Sequence, residues 1–284
     1  MKIAISVETT ADLSKELIKK YDINVIPFTI DLGEKMAKDG DITPDEIFAY
    51  VDETGILPKT SAINQFEFEE YFGKLIKKYD AIIHLSLSDR LSSAYSNACM
   101  CTRKINNLYV INSKSLSTGI GLLAIYAATL RDKGLSLTEI VEAVDKRIPY
   151  IQASFVVNTL SYLNKGGRCS SLQHLGAMLL RLKPQIVVND GAMELGKKYR
   201  GKSSACVEEY CKDTLEEFTN PDKSIVFVTH SHASDDMIQT CVDWLKESGF
   251  KNILVTVAGA TITSHCGPKT IGILFFNDGG KTLQ

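Results

Sequence analysis

Residues 81–98, AIIHLSLSDRLSSAYSNA, begin as an apolar run from Ala81 to Leu87, break into hydroxyls, and resume at helical spacing. The run reads as a strand and the resumption as a helix, with Ser86, Ser88, Ser92 and Ser93 gathered at the turn between them. A strand feeding a helix through a short turn is half of a βαβ unit. The number of hydroxyls is the second signal. A nucleophile needs one activated serine and a helix cap needs one, whereas an anion site built from neutral donors uses several.

The same rhythm continues on both sides. KIAISV (2–7), a helix over 13–21 and INVIPFTI (23–30) form a βαβ pattern, and LYVINS (108–113) follows the helix after the quoted turn. Thr43-Pro44-Asp45-Glu46 supplies an N-cap, a first-turn proline and a capping glutamate. Asn64 to Glu67 and Ser136 to Glu139 repeat the cap-x-x-Glu spacing. Further strands are expected at ASFVVNT (153–159), PQIVVND (184–190), SIVFVTH (224–230), NILVTVAG (252–259) and TIGILFF (270–276). After the helix LTEIVEAVDKRIPYI the simple alternation gives way to a strand, a Gly-Gly-Arg turn, a short apolar helix and a hairpin, which puts a boundary near residue 155.

The expected fold is α/β in two domains. Residues 1–155 form a Rossmann-like, open, mostly parallel sheet with helices on both faces, and residues 156–284 form an α/β domain with a mixed sheet. Ligands of open parallel sheets bind beyond the carboxyl ends of the strands. The hydroxyl-rich segments ETTAD (8–12), SLSDRLSS (86–93) and NSKSLSTG (112–119) stand at such ends, so a ligand is expected there, between the domains.

Composition narrows the function. The 284 residues can bury a substantial core, and 32 Lys+Arg against 34 Asp+Glu leave a formal charge of −2, so no global basic field recruits nucleic acid. The longest apolar stretch, Gly119 to Leu130, is too short to span a bilayer, and Met1-Lys2-Ile3 leads straight into a strand pattern; the reading is cytoplasmic. Seven cysteines without a C-x-x-C pair argue against a disulfide framework and a zinc knuckle and read as reduced, mostly buried thiols.

Catalytic motifs are weak. Gly196 to Ser203, GKKYRGKS, satisfies the G-x-x-x-x-G-K-[ST] phosphate-loop pattern, but it follows a polar turn and a short strand and is bulky where such a loop must curl. It reads instead as an exposed basic hairpin, useful for docking a partner through Lys198 and Arg200. No G-x-S-x-G elbow occurs, and His230-Ser231-His232 lacks a carboxylate set at ligand spacing, so no metal is expected. Three small-residue loops offer donors: LPKTSAIN (57–64) with Thr60 and Ser61, NKGGRCSS (164–171) with Arg168, and TSHCGPKT (263–270), a Gly-Pro turn presenting His265 between two strands. Hydroxyls with one arginine and one histidine are the donors a buried carboxylate requires.

At these residues the chain resembles the DegV family of bacterial fatty-acid-binding proteins, which carry acyl chains to a separate fatty-acid kinase. The motifs that carry the resemblance read here as ETTADL (8–13), DGDITPDEIF (39–48), PKTSAIN (58–64), LSSAY (91–95), KGGRCS (165–170) and HCGP (265–268), spread over essentially the whole chain. The resemblance implies a lipid carrier rather than an enzyme, with no cofactor other than a bound long-chain fatty acid. A kinase and, transiently, a membrane surface are its implied partners, and phospholipid synthesis is the process it supplies. Thr60, Ser61 and Ser92 correspond to hydroxyls around the lipid carboxylate, and Arg168 and His265 stand at the domain junction near the same head group. Two departures bear on that site. Glu8-Thr9 replaces the usual Asp-Ser, and Ser92-Ser93-Ala94 replaces Ser-Gly-Thr, so Ser93 either adds a donor or narrows the pocket. LQHLGAMLLRLK (172–183) either lines the acyl tunnel or is plain core. The competing class is a small-molecule or nucleotide-dependent enzyme using the same cleft.

Overall fold

The computed structural model of the protein describes residues 1–168 and 182–280. Strands β1 (Ile3–Glu8), β2 (Ile23–Ile26), β6 (Ala81–Ser86) and β7 (Leu108–Asn112) form a four-stranded sheet in the order β2-β1-β6-β7. Every pair in it is parallel. The expected single strand INVIPFTI is two. Pro27 has no N–H to give a ladder, so β2 ends before it and the chain re-enters a separate antiparallel sheet as β3 (Thr29–Asp31), between β4 (Met36–Lys38) and β5 (Lys59–Ser61). Neither β4 nor β5 carries a long enough apolar run to announce itself, and LPKTSAIN, read as a loop, contains β5.

The remaining strands build a six-stranded mixed sheet in the order β10-β9-β8-β13-β11-β12. Its members are β8 (Ile151–Val156), β9 (Lys183–Asn189), β10 (Ala192–Tyr199), β11 (Val226–Ser231), β12 (Ile253–Val257) and β13 (Thr270–Phe276). Only β11 and β12 are parallel neighbours; the other pairs run antiparallel. Residue 155 falls within β8, whose neighbours are β13 and β9.

Helix α5 (Thr118–Asp132) explains how the two sheets form one core. It contacts β1 and β6 of the parallel sheet and β8 and β13 of the mixed one. It is accordingly apolar on nearly every side, with Ile120, Leu123, Ala124 and Ala127 fully buried. The expected caps are present: α2 (Pro44–Thr54), α3 (Gln65–Leu75) and α6 (Leu137–Arg147) each start with a reciprocal capping box, from Thr43, Asn64 and Ser136. Helices α8 (Ser203–Glu217) and α9 (Asp235–Glu247) cover the outer side of the mixed sheet, packing with Val226, Val228, Ile271 and Phe275.

The two parts are also tied by charge. Arg147, at the end of α6, is buried and donates to Asp278 (2.7 Å) and Asp222 (2.5 Å), with its guanidinium over the Phe276 ring. A buried ion pair of this kind is costly to break, because removing one partner strands the other. The six described cysteines are free, five of them buried. No described helix is long and apolar enough to cross a membrane.

Candidate functional site

The turn after β6 divides its serines between two tasks. Ser86 donates to Glu8 Oε1 (2.6 Å), Leu87 N–H donates to Glu8 Oε2 (2.9 Å), and His84 Nε2 meets Oε1 (3.2 Å). All of these groups are buried, and Ser6 extends the network to His84 Nδ1 and to Tyr71. Ser88 is buried as well and donates to the Gly191 carbonyl in the β9–β10 hairpin (2.8 Å). Ser86 and Ser88 are therefore structural. Glu8 fastens β1 to β6 and fixes the start of the loop that carries the other two serines. Ser92 and Ser93 line a cavity of about 260 Å³ between the strand-end loops of the parallel sheet and the inner face of the mixed sheet. Ser92 Oγ accepts the Ala94 N–H at the head of α4 (Ala94–Cys101), which leaves its own proton free for a ligand.

The walls are largely apolar. Phe28, Leu87, Leu91 and Leu116 contribute from the loop side, and Phe155, Met193 and Leu274 from the sheet side. Thr60 also lines the cavity, while Ser61 is exposed and does not. Consecutive residues of a strand face opposite ways, and Thr60 and Ser61 are consecutive in β5. Thr60 and Ala62 look inward and Ser61 outward, so Ser61 leaves the expected set. Asn97 donates to the Ile63 carbonyl (2.9 Å), which seats the first turns of α4 beside the end of β5.

His265 does not sit on a Gly-Pro turn between strands as expected. It lies in the last turn of a short helix, α10 (Ala260–Cys266), which the strand-like run before it conceals. Thr261, Ile262, His265 and Cys266 line the cavity, the three-to-four spacing of one helix face. Thr60 Oγ1 meets His265 Nε2 at 2.8 Å, across 205 residues of chain. Burial and the nearby Arg168 cation push the imidazole down to about 4, so His265 is neutral at physiological pH.

Glycines allow the approach. Arg168 follows α7 (Ser161–Gly166), and a Cβ on Gly166 would lie 2.6 Å from His265 Nδ1. Gly267, at φ +75°, leaves no room for a Cβ beside the Tyr162 ring, 2.6 Å away. The K-G-G-R turn and the H-x-G-P turn are thus the two sides of one contact. Arg168 is exposed at the cavity, with Nη1 donating to the Gly166 carbonyl (2.6 Å).

Two acidic side chains anchor the far end of α10. Asp39 accepts the Ala260 N–H (2.9 Å) and the Thr261 N–H (3.1 Å), and Asp12 accepts the Gly259 N–H (2.8 Å) and the Ser117 hydroxyl (2.5 Å). These side chains come from the turn after β1 and from the end of the small sheet, so they clamp a helix of the second part to the first. Burial, with Asp39 adding to it, pushes the Asp12 carboxyl up to about 8 against the pull of its hydrogen bonds. Sequence reading singled out none of Asp12, Asp39, Ser117 or Thr261. ETTAD and NSKSLSTG contain Asp12 and Ser117, but the partners 247 and 105 residues apart carried no local signal.

GKKYRGKS is extended through Tyr199 and paired with β9, so it cannot wrap a phosphate; Lys198 and Arg200 are exposed on this hairpin, and Lys197 pairs with Asp213 (2.9 Å). His230 and His232 do not converge on a metal: His232 pairs with Asp45, and no metal-holding cluster occurs among the described residues. The helix read over 172–183 lies outside the described residues except for Leu182 and Lys183, the latter opening β9.

Known proteins resemble the whole chain. The family profile described as "uncharacterised protein, DegV family" matches residues 2–278. A DegV domain-containing protein of Caldanaerobacter subterraneus is 31% identical over 96% of this chain and 98% of its own length. A fatty acid-binding protein of Thermotoga maritima is 27% identical over 96% of each chain. The solved structure of a fatty acid-binding DegV family protein from Thermus thermophilus, 26% identical, superposes with a TM-score of 0.90 over 97% of this chain and 99% of its own.

Proposed function

The chain belongs to the DegV family, and from that premise we propose that it binds a long-chain fatty acid and carries it to a separate fatty-acid kinase. The observation that supports this reading best is the cavity itself. Its walls are apolar, and Thr60, Ser92, Ser93, Arg168 and His265 gather polar groups on its lining. An acyl tail of about fifteen methylenes is worth on the order of 12 kcal/mol gross at ~0.8 kcal/mol per buried CH₂, before ordering costs are subtracted. The tail therefore supplies affinity and the polar groups supply orientation.

The carboxylate has the opposite need, since a buried charge without partners is strongly unfavourable. In the tautomer of neutral His265 that carries its proton on Nε2, the ring donates to Thr60 Oγ1 and the Thr60 hydroxyl proton is left for the carboxylate. Ser92 and Ser93 add hydroxyl donors, and Arg168 adds a cation. Charge-assisted bonds of this kind contribute about 1.5–3 kcal/mol each, enough to offset desolvation while the head group stays within reach of a partner. His265 is in this reading a positioning residue for Thr60. The kinase transfers the γ-phosphoryl group of ATP to the carboxylate oxygen, giving an acyl phosphate and ADP, and Lys198 and Arg200 dock it. Loading involves a transient contact with a membrane surface.

Denaturing the purified protein, extracting it with organic solvent and measuring fatty acid by mass spectrometry tests the binding. Stoichiometric acid is expected; protein that is lipid-free and also ignores added fatty acid overturns the reading. With a cognate kinase, Arg168→Ala and His265→Ala should lose acyl-phosphate formation by more than they lose affinity. Wild-type turnover by the double variant removes both residues from the site.

A further inference from the structure

Strand β12 ends one side of the mixed sheet, with β11 as its neighbour among the described strands. Val226 N–H donates to the Asn252 carbonyl and Ala258 N–H to the His230 carbonyl, so Leu254 and Thr256, lying between, turn their backbone groups toward β11. Ile253, Val255 and Val257 turn theirs the other way, to the open edge. The same three residues place their side chains on the outer face of the sheet, opposite Thr256, whose hydroxyl meets Thr229 on the inner face. Ile253 packs with the core under α8 and α9, but Val255 is 45% and Val257 54% exposed, beyond the cover of those helices.

Exposed strand edges usually carry a device against pairing. At the other side of the same sheet, β10 has Lys197, Lys198 and a bulge between Leu195 and Lys198. The outer strands of the small sheet, β4 and β5, are three residues long and contain Lys38 and Lys59. By contrast β12 reads ILVTV, five β-branched or apolar residues with no charge, proline or bulge. Such an edge is a template for another strand, and symmetry and charge say which. Antiparallel pairing of two copies about a two-fold axis at Val255 sets Val255 against Val255 and Ile253 against Val257, so each outward N–H meets an outward carbonyl. The exposed valines of both copies then form one apolar stripe. No like charges face each other in this register. It carries Lys251, exposed and without an ion-pair partner among the described residues, to the Gly259 end of the opposite strand, where Asp39 Oδ1 stands 3.1 Å from the place of a Gly259 Cβ.

We propose that β12 is an interface for a second copy of this chain, joining the two mixed sheets edge to edge in a two-fold dimer centred on Val255. The inference does not depend on the fatty-acid reading.

Sedimentation and amide exchange test it on the full chain. The mass should rise toward twice that of one chain as concentration increases. Amide exchange at Ile253, Val255 and Val257 should slow about tenfold once nine chains in ten are paired, because only the unpaired fraction exchanges, while Leu254 and Thr256, already bonded to β11, should change little. Val255→Lys and Val255→Glu each set like charges face to face at the axis and should sediment as single chains with wild-type melting curves; an equimolar mixture of the two should pair again. A wild type that keeps the single-chain mass up to about 1 mM overturns the inference and leaves the edge to a strand of another protein. A dimer without the alternating protection, one that survives Val255→Lys, or a mixture that stays unpaired overturns it as well. Should either variant melt early, the exchange pattern of wild type decides alone.

Discussion

The turn after β6 and helix α10 are both rich in hydroxyls, and they divide them in the same way by different means. In the turn, Ser86 and Ser88 are consumed by Glu8 and the Gly191 carbonyl, while Ser92 and Ser93 reach the cavity. On α10, Thr263 and Ser264 bond the local backbone, while Thr261 and His265 are lining residues. The turn relies on a buried acidic side chain beneath it, whereas the helix relies on acidic side chains at its N-terminus, Asp12 and Asp39. A hydroxyl-rich stretch is thus no single site. Its residues separate into supports and contacts according to which atoms lie behind them.

The largest effect is expected from removing the support of the turn. Glu8→Leu leaves His84, Ser86 and the Leu87 N–H buried without their acceptor and should cost about 3–5 kcal/mol in urea unfolding. A loss under about 1 kcal/mol would show that Glu8 does not hold the turn.

The clamp on α10 should respond to pH with a definite sign. The Asp12 carboxyl is raised from 3.8 to about 8, so its contribution to folding is present below the lower value and is lost as pH climbs between the two. Asp12→Asn keeps an acceptor for Gly259 N–H and removes the charge, so its stability relative to wild type should rise by about 1 kcal/mol or more from pH 5 to pH 8. His265 acts in the opposite direction. Its pKa is lowered from 6.5 to about 4, so wild type should lose stability as pH falls through that window, and His265→Gln should lose less. Unfolding curves at four pH values check both signs, and parallel pH profiles for wild type and either variant would remove that group from the account.

Smaller effects distinguish contacts from supports. Thr60→Val and Ser92→Ala should each weaken fatty acid binding by about 0.5–3 kcal/mol in titration. Near-wild-type affinity in a combined variant would end the description of these hydroxyls as a carboxylate cradle. The smallest effect belongs to Ser61→Ala. Its side chain faces away from the cavity, so affinity and stability should both stay within about 0.5 kcal/mol of wild type. A loss matching that of Thr60→Val would mean that β5 turns its other face to the ligand.

Local chemistry made much of the protein legible before any fold was known. Short apolar runs announced all four parallel strands, reciprocal caps announced α2, α3 and α6, and hydroxyl-rich segments stood at the carboxyl ends of the parallel strands, two of them holding the Ser92 and Ser117 that line the cavity. These signals depend on neighbours within a few residues, which is why sequence carries them. The motif-level resemblance added Thr60, Ser92, Arg168 and His265, all of which line one cavity. What tertiary structure alone decided depends on groups far apart along the chain. Period two cannot say which face of β5 is inward, so Thr60 and Ser61 were equal candidates until β3 paired with it. A seven-residue helix between two strands is too short to show a period, so α10 emerged only when Asp12 and Asp39 capped it from the other part of the molecule. Whether a buried hydroxyl is satisfied, as Thr263 is and, among the described residues, Thr261 is not, depends on which backbone and side-chain atoms the finished fold brings within hydrogen-bond reach, and no local pattern encodes that distance.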